Sequence, residues 1–356
     1  MTRSLAAVLL LGVALGALAC NPYSREDLLF AMVAPSSDEM HVAPPGTEAA
    51  NDDESADGTS QTSQAMEAAC GATNLRCHAV DIARNFNVLT TSVLNIVDNV
   101  LGYPPTFRQS ADGYTRRVWG PVRIENGATI RVEMLRTPDD LYVICMHGAP
   151  GALAERPSPD EFNCESDPAD FGLTTLINGV FAPGAIEGGR ARNGKGGILF
   201  HADAFAATDP GLAALGKVLV SYDNTGQERF VHVNVSGSEA LAIDSDYLFY
   251  QDRDTGAGRF YYALRHDFTP GPLGIGIQRE QLFSSAQWTA ERAGRVDTTI
   301  SGGDLGNASY AAIHCWDADF TDTYYVDTGN EHPTVGEEGA CEFGPPPEPV
   351  IPVIFE

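Results

Sequence analysis

The stretch His78–Leu101, HAVDIARNFNVLTTSVLNIVDNVL, is the longest segment of the chain with a helical period. Its apolar residues recur at steps of three and four, which places them on one face of a helix. Gly102 and then Pro104 and Pro105 end the segment, because proline cannot continue the hydrogen-bond ladder. A helix with one apolar face needs a surface to cover, so we expect this helix, residues 78–102 with its glycine, to pack on a sheet. The apolar face comprises Ile82, Phe86, Leu89, Val93, Ile96, Val97, Val100 and Leu101.

After this helix the hydrophobic period changes to two, which is typical of strands. Residues 128–134 and 231–235 alternate apolar and polar side chains, and DRDTGAG at 252–258 has the composition of a hairpin loop. About a dozen short strands with tight links favour an antiparallel sheet, and so many strands curl rather than stay flat. The predicted fold is therefore α+β, mostly β: a large curled antiparallel sheet packed by one long N-terminal helix. Further predicted strands are Thr115–Val122, Leu141–Cys145, Leu176–Phe181, Gly197–His201, Val218–Tyr222, Tyr247–Tyr250, Phe260–Leu264, Gln287–Glu291, Arg295–Ile300, Tyr310–Cys315 and Thr323–Val326.

The first twenty residues predict export. Leu5–Leu18 is an apolar run that is too short to span a bilayer, which takes about 20 residues, and it suits a signal peptide. The run closes as Ala17-Leu18-Ala19-Cys20, which resembles the lipobox of bacterial lipoproteins with Ala17 in place of the usual leucine. The resemblance implies that residues 1–19 are removed and that Cys20 is acylated. Because Asn21 rather than Asp follows, it also implies the outer membrane, on either face. An ordinary secretory signal with its cleavage site at residues 17–19 is the alternative.

Beyond the anchor, composition divides the chain into three parts. Residues 20–74 are expected to form a lipidated, acidic, disordered tether, because residues 21–69 combine low hydrophobicity with charge of one sign. Residues 75–343 form a single predicted β-rich domain, and residues 344–356 a Pro-rich tail. The formal net charge of −26 predicts that nucleic acid and anionic membrane surfaces are repelled, since both are bound through Lys and Arg.

The remaining cysteines predict disulfides. Once Cys20 is assigned to lipid, six of the seven are left, which is an even number in an exported protein. Sequence leaves many pairings open, and free buried thiols are the alternative. No spacing of Cys or His suggests zinc. Proximity along the chain favours Cys70–Cys77, Cys145–Cys164 and Cys315–Cys341.

Several segments approach a functional motif without completing it. Gly189–Gly196 nearly matches a phosphate-binding loop, but Gly196 replaces the required Ser or Thr and a strand follows instead of a helix. We therefore expect a loop between strands there. The first of two acidic clusters lacks the third acid, the glycine position and the distal Glu of a calcium loop; the second is close enough in sequence to share a cation, and a solvated strand end explains it as well. Two His–Asp neighbours are more typical of a surface than of a catalytic dyad. No catalytic residue, metal ligand or cofactor is predicted. The clusters are Asp252 with Asp254, and Asp317 with Asp319 and Asp322; the neighbours are His201 with Asp203, and His266 with Asp267.

Two longer stretches carry a family resemblance. In the first, covering about Asn178–Pro210, a Gly-rich hairpin precedes an expected helix that ends in Asp-Pro; in the second, about Ala286–Phe343, a GGDL turn precedes Cys315-Trp316-Asp317. Both resemble exported lipoproteins of myxobacterial type, a family without an assigned activity, so the resemblance implies a body plan and no chemistry. The expected architecture is also similar to half-barrel carriers of lipids or lipoproteins in the periplasm, a likeness of architecture alone.

These observations predict a cell-envelope lipoprotein that is not an enzyme, with a binding or structural role and an unknown ligand. Its expected partner is the membrane, through Cys20, and an apolar ligand or another envelope protein is left open. The alternative is a periplasmic carrier that holds lipid or another apolar ligand in a cavity between helix and sheet. An enzyme would require Asp, His or Glu side chains that converge in one cleft.

Overall fold

The computed structural model describes residues 23–45, 74–124, 127–151, 153, 158, 162–207, 216–236, 244–266, 279–329 and 332–349. Three α-helices lie in these ranges: α1 Arg25–Val33, α2 Ser37–Met40 and α3 Leu75–Leu101. They are followed by strands β1 Phe107–Ala111, β2 Tyr114–Arg123, β3 Thr129–Arg136, β4 Tyr142–Ala149, β5 Thr174–Ala182, β6 Ile186–Glu187, β7 Arg190–Ala191, β8 Lys195–His201, β9 Lys217–Asp223, β10 Glu228–Ser236, β11 Asp244–Asp252, β12 Gly258–His266, β13 Glu280–Trp288, β14 Gly294–Gly302, β15 Ser309–Trp316, β16 Asp322–Asp327 and β17 Val335–Gly336.

One sheet contains fifteen of these strands in the order of the chain, and each strand pairs antiparallel with the next. The short β6–β7 hairpin forms a separate two-stranded sheet and interrupts the series between β5 and β8. The prediction of a mostly β protein with a large antiparallel sheet is confirmed. The strands lie in the order of the chain because tight turns join neighbouring strands. One such turn contains Asp140, which adopts a left-handed conformation with φ of 58°.

The sheet curls around α3. This helix contacts β2 and β3 near one edge of the sheet and β14 near the other. The buried inner-face side chains of the strands from β2 to β16 form one apolar cluster with this helix, from Trp119 to Tyr325. Strands of nine residues, such as β10 and β14, are about 30 Å long, whereas a helix is only about 10 Å wide. On a flat sheet one helix would leave most of these side chains exposed, so the sheet must curl around α3.

Helix α3 begins three residues before the predicted His78. The side chain of Asn74 caps it by accepting a hydrogen bond from the Cys77 backbone N–H at 3.0 Å. At the other end the N–H of Gly102 donates to the carbonyl of Asp98 at 3.0 Å. Of the eight predicted face residues, Leu89 and Ile96 are half-buried against the core and six are buried. The buried six are Ile82, Phe86, Val93, Val97, Val100 and Leu101.

The structure corrects the expectation that a single helix packs the sheet. Helices α1 and α2 contribute Phe30, Val33 and Met40 to the same core as α3. Because residues 23–45 are ordered in this way, the prediction of a disordered tether over residues 20–74 is wrong for them. The prediction rested on the acidic composition of the whole segment and overlooked a short apolar run, Leu28–Val33, which is long enough to bury one side of a helix.

Polar contacts hold α1 in place. Ser24 and Asp27 form a capping box, in which each side chain bonds to the backbone N–H of the other residue. Asp27 is buried and accepts hydrogen bonds from Arg117 Nε at 2.8 Å and Arg108 Nε at 3.0 Å. Burial raises the pKa of Asp27, but hydrogen bonds from Arg108, Ser24 and Arg117 outweigh it and lower the pKa to about 2.

Candidate functional site

If the protein is a carrier, we expect a cavity between α3 and the sheet. Side chains from helix and strands meet there with no accessible surface, among them Val97 of α3, Val132 of β3, Val220 of β9 and Val296 of β14. Because accessible surface includes the walls of any void that admits water, these side chains do not line such a void. They belong to one continuous apolar core with aromatic contributions from Trp119, Phe249 and Trp288. Over the described residues the curl is filled by side chains.

Two of the predicted disulfides are confirmed. Cys145 and Cys164 are joined with a Cα–Cα distance of 5.7 Å, and Cys315 and Cys341 with one of 5.6 Å. Cys77 is also disulfide-bonded, while its predicted partner Cys70 lies outside the described residues. Cys20, the predicted lipidation site, lies outside them as well.

The outer face of β2–β4 carries a buried ionic cluster that sequence reasoning missed. Glu133 is only 2% exposed and accepts two hydrogen bonds from Arg116, through Nε and NH2, both at 2.8 Å. Arg131 NH2 donates to the same carboxylate at 3.0 Å. Both arginines also donate to the carbonyl of Phe162, at 2.9 and 2.7 Å. Two guanidinium groups therefore share one carboxylate beneath the segment that carries Phe162.

His147 completes this cluster. It is 1% exposed, and its ring centroid lies 4.8 Å from that of Phe162, in an edge-to-face arrangement. Burial, and then the positive charges of Arg131 and His201, lower the pKa of His147 to about 4. Within the described part of the chain, His147 Nδ1 and Arg131 NH1 have no hydrogen-bond partner. The ring is therefore neutral at pH 7 and packs as an aromatic side chain.

The Cys145–Cys164 disulfide explains why the cluster is covered. Cys145 lies opposite Glu133 in the β3–β4 register, so the bond to Cys164 holds the segment around Phe162 down onto the two arginines. Glu133, Cys145 and Cys164 lie close enough together to suggest a metal site. The two sulfur atoms are consumed in the disulfide and the carboxylate is paired with arginine, so the group has a structural explanation.

The segment Gly189–Gly196, which nearly matches a phosphate-binding loop, is bound by a carboxylate of the protein itself. The backbone N–H of Gly194 donates to the buried carboxylate of Glu39 at 2.8 Å. Asn224 connects the same two residues: its side-chain amide N–H donates to the Glu39 carbonyl, and its backbone N–H donates to the Gly194 carbonyl. Burial raises the pKa of Glu39. The structure thus places a side chain of the protein where a phosphate would bind, as expected for a loop between strands.

The two acidic clusters are explained by turns. Asp252 accepts bonds from the N–H groups of Asp254 and Thr255, at 3.1 and 2.8 Å, and so closes its own hairpin. The next two residues of this hairpin, Arg253 and Asp254, line a shallow open depression of about 410 Å³ together with Gly226 and Gln227.

In the second cluster Asp317 accepts from the N–H groups of Asp319 and Thr321, at 3.0 and 2.9 Å. Asp322 instead lies 2.8 Å from His314 Nε2. The carboxylates of Asp317 and Asp322 therefore have separate partners, and among the described residues the three acids do not form a group close enough to hold a metal ion.

The predicted His–Asp neighbours are likewise separate. His201 Nε2 lies 3.2 Å from the Asn178 side chain, whereas Asp203 accepts from the N–H of Ala204 at 3.0 Å. In the second pair, Asp267, which follows His266, lies outside the described residues.

The Pro-rich tail crosses the outer face of the sheet. Its carbonyls accept side-chain hydrogen bonds from three consecutive strands: Phe343 from Arg295 of β14 at 2.9 Å, Gly344 from Gln287 of β13 at 2.6 Å, and Pro347 from Tyr261 of β12 at 2.7 Å. Proline has no N–H, so a Pro-rich segment bonds a sheet only through its carbonyls. The disulfide of Cys341 fixes the start of this strap, which comprises residues 343–349; residues 350–356 lie outside the description.

Comparisons with protein-family models, with curated proteins and with solved structures find no match to this chain. In the ranges that the structure describes, none of the helices is both long and apolar enough to cross a bilayer.

Proposed function

We propose that this protein is a cell-envelope lipoprotein, anchored in the outer membrane through lipid on Cys20, whose folded domain has a non-enzymatic binding or structural role. The observation that carries the role is the filled interior, because a body packed throughout meets its partners on its surface. The disulfides at Cys145–Cys164 and Cys315–Cys341 support export, since such bonds persist in oxidising compartments. The apolar run that ends at Cys20 supports the anchor.

The anchor is tested by substitution. Cys20→Ser should abolish metabolic labelling with fatty acid and release the protein into the soluble fraction. Asn21→Asp is the matched control, because it keeps the cysteine and should move the labelled protein to the inner membrane, as the sorting logic of bacterial lipoproteins implies. Unchanged detergent partitioning of Cys20→Ser would contradict the lipoprotein assignment.

A periplasmic carrier of lipid or another apolar ligand is the second candidate. The observation that favours it is the curl of the sheet around α3, since inner-face side chains from β2 to β16 form one buried cluster with the helix. A carrier of this architecture would hold its ligand between α3 and the inner face of the sheet. Purified protein should then release lipid on extraction with organic solvent, whereas a structural or surface-binding domain should release none from its interior.

A further inference from the structure

The folded domain begins immediately after the proposed anchor. Only Asn21 and Pro22 separate Cys20 from Tyr23, the first described residue. Three Cα–Cα steps of about 3.8 Å allow at most about 11 Å between Cys20 and Tyr23. Acyl chains on Cys20 hold that residue at the level of the lipid headgroups. A disordered tether of about fifty residues would instead reach on the order of 40 Å.

The N-terminal end of the fold cannot lift away from the domain at low cost. Tyr23 Oη donates to the carbonyl of Gly102, at the end of α3. Four residues later Asp27 is buried against Arg117 and Arg108 of the sheet. Breaking a buried ion pair of this kind leaves buried charges without their counter-charge, which is strongly unfavourable. The end of the domain that carries Tyr23 and Gly102 therefore stays next to the anchor.

This end presents large apolar and aromatic side chains to solvent. Leu28, on the first turn of α1, is 43% exposed, and Tyr103, next to Gly102, is 59% exposed. Ile186 is exposed on the β6–β7 hairpin, which Arg190 holds against α1 and α3 through the Ala31 carbonyl and the Asp98 carboxylate. Aromatic and aliphatic side chains of this kind are typical of the boundary between lipid headgroups and acyl chains.

The charges at the anchored end are nearly balanced. Arg108 and Arg117 pair with Asp27 and Glu26, and Arg190 pairs with Asp98 and lies opposite Glu187 in the β6–β7 hairpin. Arg25 is exposed on the first turn of α1. The chain as a whole has a formal net charge of −26. The excess acid that would repel anionic lipid therefore lies away from this end.

We propose that the surface formed by Leu28, Tyr103, Ile186 and Arg25, here called the anchor face, lies directly on the phospholipid bilayer. The inference rests on the proposed acylation of Cys20. Helix α3 is 27 residues long, or about 40 Å, so its N-terminal end near Asn74 lies about 40 Å along the helix from Gly102 and the anchor face. The partner-binding surfaces of the domain would then be the sheet's outer face and that distal end.

Depth-dependent quenching tests the anchor face in the acylated protein. Tyr103→Trp places a fluorophore on the anchor face, and Val335→Trp places one on β17, which pairs with the strand that carries Asp322, close to the N-terminal end of α3. Both positions are exposed. In phosphatidylethanolamine–phosphatidylglycerol vesicles with brominated acyl chains, we expect Tyr103→Trp to lose about half of its added fluorescence and Val335→Trp to lose none. Equal quenching, or none at Tyr103→Trp, would overturn the proposal.

A linker variant and a mass measurement separate the two possible failures. Roughly 20 Gly and Ser residues inserted between Asn21 and Pro22 reach on the order of 25 Å, and should abolish the quenching of Tyr103→Trp without removing the anchor. Persistence of the quenching would contradict the claim that the two-residue spacing after Cys20 holds the face on the bilayer. Absence of acyl mass on Cys20 would contradict the proposed function itself, whereas acylated protein with an unquenched Tyr103→Trp would contradict only the anchor face.

Discussion

The two faces of the sheet bury their side chains by different means, and β3 shows both. Ile130, Val132 and Met134 point into the curl, where the helices cover them with apolar side chains. Arg131 and Glu133, which alternate with them, are equally buried on the outer face, beneath the segment around Phe162. The inner face is held by apolar area, which is lost gradually as atoms are removed. The outer face is held by ion pairs, and removal of one partner leaves the other buried without a counter-charge.

The largest effect is expected inside the curl. Phe86→Ala removes a buried aromatic ring from the face of α3 and should lower the free energy of unfolding by about 3–5 kcal/mol, because a filled core cannot collapse fully into the space left. The matched control is Val88→Ala, on the same helix but 54% exposed, which should change stability by about 0.5 kcal/mol or less. Denaturant unfolding measures both. Equal effects would mean that α3 does not seal a packed interior.

A somewhat smaller loss is expected at the outer cluster. Glu133→Gln leaves Arg116 and Arg131 buried without their counter-charge and should lower the free energy of unfolding by about 3 kcal/mol. Glu228→Gln removes a carboxylate from an exposed pair with Arg259 and should cost less than about 1 kcal/mol. If the two substitutions prove equivalent in denaturant unfolding, the ionic contacts do not hold the outer face.

Acid should weaken the outer face through His147. The folded pKa of His147, about 4, is below its unfolded value of 6.5, so the unfolded chain binds a proton first as pH falls. His147 therefore contributes full stability above pH ~6.5 and loses about 2 kcal/mol between pH 7 and pH 5. His147→Phe keeps an aromatic ring against Phe162 and should flatten that part of the profile. A slope unchanged by this substitution would assign the acid sensitivity to other groups.

The smallest effect is expected at the strap. Tyr261→Phe removes the hydrogen bond from the Tyr261 hydroxyl to the Pro347 carbonyl and should lower the free energy of unfolding by at most about 1.5 kcal/mol. Limited proteolysis should cleave residues 343–349 faster in the variant, whereas Tyr262→Phe, on the neighbouring inward-facing residue, should leave the rate of strap cleavage unchanged. Identical cleavage in Tyr261→Phe and the unsubstituted protein would show that the hydroxyl does not hold the strap.

Sequence predicted the inner face far better than the outer one. Period-two alternation and the long stripe of α3 reflect the hydrophobic effect, which acts on each residue by type and is therefore visible in a single chain. Two disulfides followed from proximity along the chain, because both close short loops. Helix α1 was missed, although Ser24-x-x-Asp27 before Leu28–Val33 is a capping signal, because its acidic neighbours dominated the average.

The buried ionic cluster had no comparable signal. Arg131 and Glu133 occupy the polar positions of an alternating strand, and such positions ordinarily face water. What buries them is a segment about thirty residues further along the chain, fixed by a disulfide, and no local pattern indicates on which face that segment lies. The bond from Gly194 to Glu39 is similar, since the two residues are 155 positions apart. Long-range burial of charge depends on topology, which the sequence specifies only through the whole fold.

The central claim, that the curl is a packed core, is tested most directly by ligand binding to the purified protein at native pH. A hydrophobic dye titrated against the folded domain should show no saturable binding that a long-chain lipid displaces, and organic extraction should yield no lipid beyond the acyl chains on Cys20. Phe86→Ala, which opens space at that position, is the positive control and should gain dye binding. Saturable binding to the unsubstituted protein that a long-chain lipid displaces, together with extracted lipid, would contradict the packed core and establish the carrier.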